Sequence, residues 1–167
     1  MYAIGDITGR MLLAHVASRQ GILVAELLAE KINGSGRAEG IIHYDRVPAC
    51  TFTNPEVASV GLTEEQARNQ YQQIKIGRFP FSANGKALGL GSTFGFVKAV
   101  ADAATGRLLG LHIIGPQATE LIAQGGILLG LECDLQDIEK IVFAHPTLSE
   151  AVMEAVEDLS GIAINKI

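Results

Sequence analysis

The chain has 167 residues, 48% of them apolar, with 19 glycines and a formal net charge of −5 at pH 7. That acidity, without any basic cluster, argues against a nucleic-acid surface. Charged or polar residues interrupt each apolar run before it reaches membrane-spanning length, and Asp6, Arg10 and Arg19 argue against a signal peptide in residues 1–20.

In chain order, the first element is a helix from Leu12 to about Ile32. Leu13, Val16, Ala17, Val24, Leu27 and Leu28 recur in it at helical offsets, and Asn33-Gly34-Ser35-Gly36 stops it. A loop from Gly34 to about Pro48 leads to a short strand, Val57–Gly61. Thr63-Glu64-Glu65-Gln66 is a capping box and opens a helix to about Gln70. Gln72–Arg78 reads as a strand with Ile74 and Ile76 on one face. Phe94–Asp102 and Leu108–Ile114 are two stronger strands, joined by a hairpin turn at Ala103-Ala104-Thr105-Gly106 in which Gly106 is free to take a positive φ. Gln117 to about Leu131 is helical, with Leu121, Ile122, Gly125, Leu128 and Leu129 on one face. Gly125-Gly126 inside it costs about 1 kcal/mol per glycine relative to alanine, which close packing against a neighbour would offset. Asp134 to about Phe143 and Leu148 to about Leu159 are the last helices. Strands interleaved with helices and joined by a hairpin predict an α+β fold, a mostly antiparallel sheet with helices packed on it.

Chemistry concentrates in Ala144-His145-Pro146-Thr147-Leu148-Ser149-Glu150-Ala151. Proline biases His145 towards an extended backbone, and Thr147 and Glu150 have capping-box spacing, so a helix is expected from Leu148. An imidazole ahead of a helix whose first turn holds a carboxylate can form an acid–base pair, the carboxylate raising the imidazole pKa and fixing its tautomer. The plainer reading has Glu150 bonded only to the Thr147 amide. Spacing alone leaves both open. The two cysteines, Cys50 and Cys133, have no close partner and form no dithiol motif. They read as small buried hydrophobes in a reducing compartment, the cytoplasm. Four scattered histidines give no metal-ligand spacing.

The octapeptide resembles the C-terminal signature of the pyridine nucleotide–disulfide oxidoreductases, and within them the dihydrolipoamide dehydrogenase branch. The resemblance runs along nearly the whole chain. Tyr2-Ala3-Ile4-Gly5-Asp6 resembles the strand ending the family's FAD-binding part, and Leu12-Leu13-Ala14-His15 the start of the helix that faces the flavin. Val47-Pro48 and Asn54-Pro55-Glu56-Val57-Ala58-Ser59-Val60-Gly61 resemble the opening of the interface domain, and Phe79-Pro80-Phe81 with Asn84 a later segment of it. Two departures are Phe143, where the family often has histidine, and Asn54 in place of a histidine in Thr-His-Pro-Glu. The family's Gly-rich dinucleotide motifs are not found: Gly85-x-x-x-Gly89-x-Gly91 has the wrong spacing and no strand before it. Its C-x4-C redox pair is not found either.

The resemblance implies that residues 1–33 are a remnant of an FAD-binding domain, 34–47 a linker and 48–167 an interface (dimerisation) domain. It implies that Asp6, after a strand ending in Gly5, binds the ribityl chain of FAD. Backbone amides at Leu12, Leu13, Ala14 and His15, with the helix dipole, would favour negative charge on a reduced flavin. It implies that His145, oriented by Glu150, takes a proton from a dihydrolipoamide thiol, so that the thiolate attacks the redox disulfide. In the family this pair works in the active site of the partner subunit. The implied cofactors are FAD and NAD. The implied partners are a second copy of the chain and the lipoyl domain of a 2-oxo acid dehydrogenase or glycine cleavage complex. The alternatives are a glutathione or mercuric reductase homologue, or a homodimerising module without chemistry.

Overall fold

A computed structural model describes residues 1–36 and 41–166, in two compact units, Met1–Val47 and Pro48–Ile167. Residues 37–40, within the expected linker 34–47, and Ile167 lie outside the described residues.

The first unit is built on one helix, α1 (Ala14–Asn33). It ends as the sequence implies, at Gly34 with φ 69°, the left-handed conformation that glycine adopts freely. It begins two residues later than expected, because Leu13 is extended (φ −132°, ψ 132°) and serves as N-cap. The strand expected before Asp6 does not form. Residues 1–4 are irregular and Gly5–Thr8 is a 3-10 turn. A strand needs a neighbour to satisfy its backbone groups, and among the described residues this unit holds no second one. Gln20 ties the unit together instead: its Oε1 accepts from the Gly5 amide and its Nε2 donates to Tyr44 Oη (2.9 Å).

The second unit contains a five-stranded antiparallel sheet of β1 (Ala49–Thr51), β2 (Glu56–Gly61), β3 (Ile74–Pro80), β4 (Phe96–Asp102) and β5 (Leu108–Gly115), in the order β1-β2-β5-β4-β3. The expected fold class holds. Period-2 alternation gives the sheet two faces. Ala58, Val60, Phe79, Val97, Ala99, Leu111 and Ile113 are buried on one, in a single core with Leu121, Ile122, Leu128 and Leu129 of α4 (Ala118–Gly130) and Ala151, Val152, Ala155 and Val156 of α6 (Glu150–Glu157). α4 lies over β2 and β5, and α6 over β3 and β4. On the other face Ala67 of α2 (Glu64–Gln70) packs with Val100 and Leu109, flanked by Ile74 and Ile76. The capping box that starts α2 is complete: Thr63 Oγ1 accepts from the Gln66 amide (3.2 Å) and Gln66 Oε1 from the Thr63 amide (2.9 Å).

The hairpin between β4 and β5 turns where expected. Gly106 has φ 73°, and Asp102 holds the turn through Thr105 Oγ1 (2.6 Å) and the Ala104 amide (3.2 Å). Those bonds, the Thr105 hydroxyl first, hold the Asp102 carboxyl below its ordinary pKa. Two elements were not anticipated: β1, too short to alternate, and α3 (Gly85–Leu90), whose N-cap is Asn84. The helix expected over Asp134–Phe143 is only α5, Leu135–Ile138. Beyond it the β-branched pair Ile141-Val142 is poorly suited to helix and is exposed. The last helix begins at Glu150 rather than Leu148, and its end past Glu157 is a 3-10 turn, Asp158–Ser160.

Candidate active site

The link from α5 to α6 brings His145 and Glu150 together. His145 Nδ1 lies 2.9 Å from Glu150 Oε1. A carboxylate oxygen only accepts, so Nδ1–H donates and, in the neutral ring, Nε2 carries the lone pair. The His145 side chain is 77% exposed and that of Glu150 only 19%. A largely buried carboxylate thus holds an imidazole ring that is mostly open to solvent.

Glu150 also does what the plainer reading requires, because its second oxygen, Oε2, accepts from the Thr147 amide at 2.7 Å. Only half of the expected capping box forms. Thr147 Oγ1 donates to the Ala144 carbonyl (2.8 Å), not back towards the helix, which is why helical structure starts later than Leu148.

Two side chains that sequence reasoning did not connect to this link reach it from other elements. Asn84, buried, donates from Nδ2 to the Thr147 carbonyl (3.0 Å) while its Oδ1 caps α3 at the Ala87 amide (2.9 Å). Gln124 of α4 donates from Nε2 to Ser149 Oγ (3.0 Å). The cap at Asn84 has a local signal, asparagine ahead of a short helix. The 63-residue span to Thr147 has none.

The other predicted site residues belong to the unit Met1–Val47. Asp6 is exposed in the 3-10 turn, and its carbonyl accepts from Gly9 N (2.9 Å). α1 has no side-chain cap, and Leu12, Ala14 and His15 are exposed at its start. The Leu13 amide bonds the Met11 carbonyl (3.0 Å), and the Leu13 carbonyl accepts from Val16 and Ala17. An exposed carboxylate within a turn, in the same unit as a helix start without a side-chain cap, suits a ligand carrying hydroxyls and developing negative charge. The amide of Leu13 is already engaged.

The remaining candidates are structural. Cys50 and Cys133 are free and half-buried. Burial first, then the charges of Glu56 and Glu120, pushes the Cys50 thiol up, away from a reactive thiolate. His112 sits in β5 with Nε2 donating to the Leu62 carbonyl (3.0 Å). Among the described residues no group of three or more His, Cys, Asp or Glu side chains is arranged to hold a metal ion, and no helix is long and apolar enough to cross a membrane.

The chain is 47% identical over 167 residues to the dihydrolipoyl dehydrogenase of Corynebacterium glutamicum, the match covering 99% of this chain and 34% of that protein. Its fold is similar to that of LpdA from Mycobacterium tuberculosis, with TM-score 0.82 and 27% identity, covering 95% of this chain and 33% of that one. It is also similar to the HOCl-induced flavoprotein disulfide reductase RclA of Escherichia coli, with TM-score 0.79 and 26% identity, covering 93% and 35%. The chain therefore spans about a third of the length of these relatives. Residues 47–156 match the dimerisation domain of the pyridine nucleotide-disulphide oxidoreductases, and the chain belongs to that family.

Proposed function

We propose that this chain is the interface segment of a dihydrolipoyl dehydrogenase and that it supplies the acid–base pair for oxidation of dihydrolipoamide. The observation that carries the reading is the 2.9 Å contact between His145 Nδ1 and Glu150 Oε1. It leaves Nε2, on an exposed ring, as the atom that accepts a proton from a substrate thiol. Glu150 fixes the tautomer and stabilises the imidazolium that forms. The thiol becomes a thiolate, the competent nucleophile towards a disulfide, while His145 holds the proton for return. Residues 1–33 are the end of the FAD-binding part, 34–47 the linker and 48–167 the dimerisation domain. Asp6 and the amides at Leu12, Ala14 and His15 would hold the ribityl chain and ring edge of FAD. When bound, FAD supplies electron transfer between the dithiol and NAD. The enzyme acts as a homodimer on a lipoyl domain of a 2-oxo acid dehydrogenase or glycine cleavage complex. Its free, half-buried cysteines suit the reducing cytoplasm.

The test is His145→Gln in the full-length enzyme that carries this segment. Dihydrolipoamide oxidation should slow by about 10²–10⁴-fold, the range for loss of a general base, with flavin content unchanged. Wild-type turnover would refute the assignment. The likeness to RclA supports a second reading, a disulfide reductase acting on another substrate. Turnover with a different disulfide and none with dihydrolipoamide would favour it.

A further inference from the structure

The His145–Glu150 pair has a weak foundation of its own. The ring is exposed and anchored by Glu150, and the carboxylate is set in turn by the Thr147 amide. Whatever fixes Thr147 therefore fixes the imidazole. Asn84 does this from the core. Its side chain is 3% exposed, and it bridges two backbone groups 60 residues apart in sequence, the amide of Ala87 and the carbonyl of Thr147. Ala87 is itself fully buried. Capping α3 needs only an acceptor, which Ser, Thr or Asp would supply equally well. The carboxamide adds a donor on the same short side chain, and that donor is aimed at Thr147. Thr147 is then held at both ends, its N–H by Glu150 and its C=O by Asn84.

We propose that Asn84 is a positioning residue for the His145–Glu150 pair, acting through the backbone of Thr147. The proposal rests on the reading of that pair as the acid–base group. Without the bond the Thr147 backbone loses its tie to the core; a shift of its Cα carries the flanking amide plane along, Glu150 Oε2 follows that amide, and Oε1 loses its alignment with Nδ1. Small displacements of this kind carry large rate penalties in proton transfer.

The test uses Asn84→Asp and Asn84→Ser in the full-length enzyme that carries this segment. Both keep an oxygen able to cap Ala87. Aspartate is isosteric but has no donor when ionised, and serine is neutral but too short to reach Thr147, so a shared effect is due neither to added charge nor to lost volume. Three properties are read: dihydrolipoamide turnover with its pH profile, the titration midpoint of His145 by NMR of labelled histidine (assigned with His145→Gln), and NADH-driven reduction of an artificial acceptor, which needs no thiol deprotonation. Both variants should lose about tenfold or more in dihydrolipoamide turnover and displace the His145 midpoint. The artificial-acceptor rate and flavin content should stay within twofold of wild type. In a His145→Gln background neither variant should slow turnover further. A wild-type His145 midpoint in both variants overturns the proposal. So does equal loss of both activities, or of flavin, which would make Asn84 a structural residue only. If His145→Gln itself turns over normally, the acid–base reading fails, and the midpoint alone decides whether Asn84 positions the ring.

Discussion

At Glu150 one carboxylate serves two partners, and this gives Glu150→Gln a definite consequence. Oε2 accepts from the Thr147 amide and Oε1 from His145 Nδ1–H. Glutamine keeps an acceptor for the first contact but turns a donor towards the second. Nδ1 must then accept, which moves the ring proton to Nε2, the atom that takes the thiol proton in the proposed reaction. In the full-length enzyme Glu150→Gln should therefore lower dihydrolipoamide turnover, by less than His145→Gln, and alter its pH profile while flavin content is kept. Turnover equal to wild type across that profile would reduce Glu150 to a cap. Sequence spacing could not choose between a bond to the Thr147 amide and one to the His145 ring because each oxygen of the side chain makes one of them. The tethers at Asn84 and Gln124 were invisible for a different reason, being contacts closed only by the packing of α3 and α4. At His112, burial pushes the imidazole pKa below its ordinary value near 6.5, Leu62 pulls it partly back and Lys98 lowers it again. A depressed folded-state pKa gives stability that is full above the unfolded value and is lost as pH falls through the folded one. Stability of this chain to urea should thus fall between pH 7.5 and pH 5, and His112→Gln should shrink that difference. An unchanged pH dependence in His112→Gln would exclude this histidine as a contributor.

Among the elements, α4 was the most legible, because its apolar residues repeat at helical spacing and Leu121, Ile122, Gly125, Leu128 and Leu129 are all buried as that spacing requires. Its adjacent glycines, alike in sequence, differ in their surroundings. A Cβ on Gly125 would lie 2.8 Å from Leu111 Cδ2 and 2.9 Å from Val60 Cγ1, whereas one on Gly126 meets nothing within 4 Å. Close approach of α4 to the sheet therefore accounts for Gly125 alone. Gly126→Ala should stabilise the chain by about 0.5–1 kcal/mol, the helix cost of glycine. Gly125→Ala should destabilise it, since β2 and β5 must give way. Thermal unfolding of the two variants separates these signs, and a stabilised Gly125→Ala would show that the contact relaxes freely. Elements with weak local patterns were the ones missed. β1 is held by pairing with β2, Cys50 opposite Ala58, and has no alternation of its own. α3 depends on the cap at Asn84 and carries three glycines in and just after it, Gly85, Gly89 and Gly91. The helix expected as far as Phe143 stops at Ile138, ahead of the β-branched Ile141 and Val142, whose side chains end up in solvent, Val142 94% exposed.

For the whole molecule, fold class and family were readable because the sheet, its hairpin and the His-Pro-Thr-Leu-Ser-Glu signature lie in one contiguous stretch, and the family match covers residues 47–156. Surfaces that complete themselves elsewhere were not readable, since a helix with apolar residues on two sides looks the same whether the second side meets its own chain or another. The chain retains Asp6 and one helix start from the expected flavin site while spanning a third of its relatives. Purified alone, it should therefore carry far less than one equivalent of FAD by absorbance, because few contacts leave little to offset the cost of binding. A yellow, stoichiometric complex would contradict this. Self-association follows from α4. With Leu128 and Leu129 turned to the sheet, Ile127 and Leu131 face outward at 61% and 72% exposure. Dimer interfaces of this class are symmetric and apolar at their centre, and the family is a dimerisation domain. Sedimentation of this chain at micromolar concentration should give a dimer, and the double substitution Ile127→Glu with Leu131→Glu should shift it to monomer by burying charge without a partner. Ile22, Leu28 and Ile32 of α1 are also exposed, so the same experiment on Ile22→Ser with Ile32→Ser supplies the control. If the α1 variant becomes monomeric and the α4 variant does not, association arises from the exposed helix of the first unit, and α4 is not the interface.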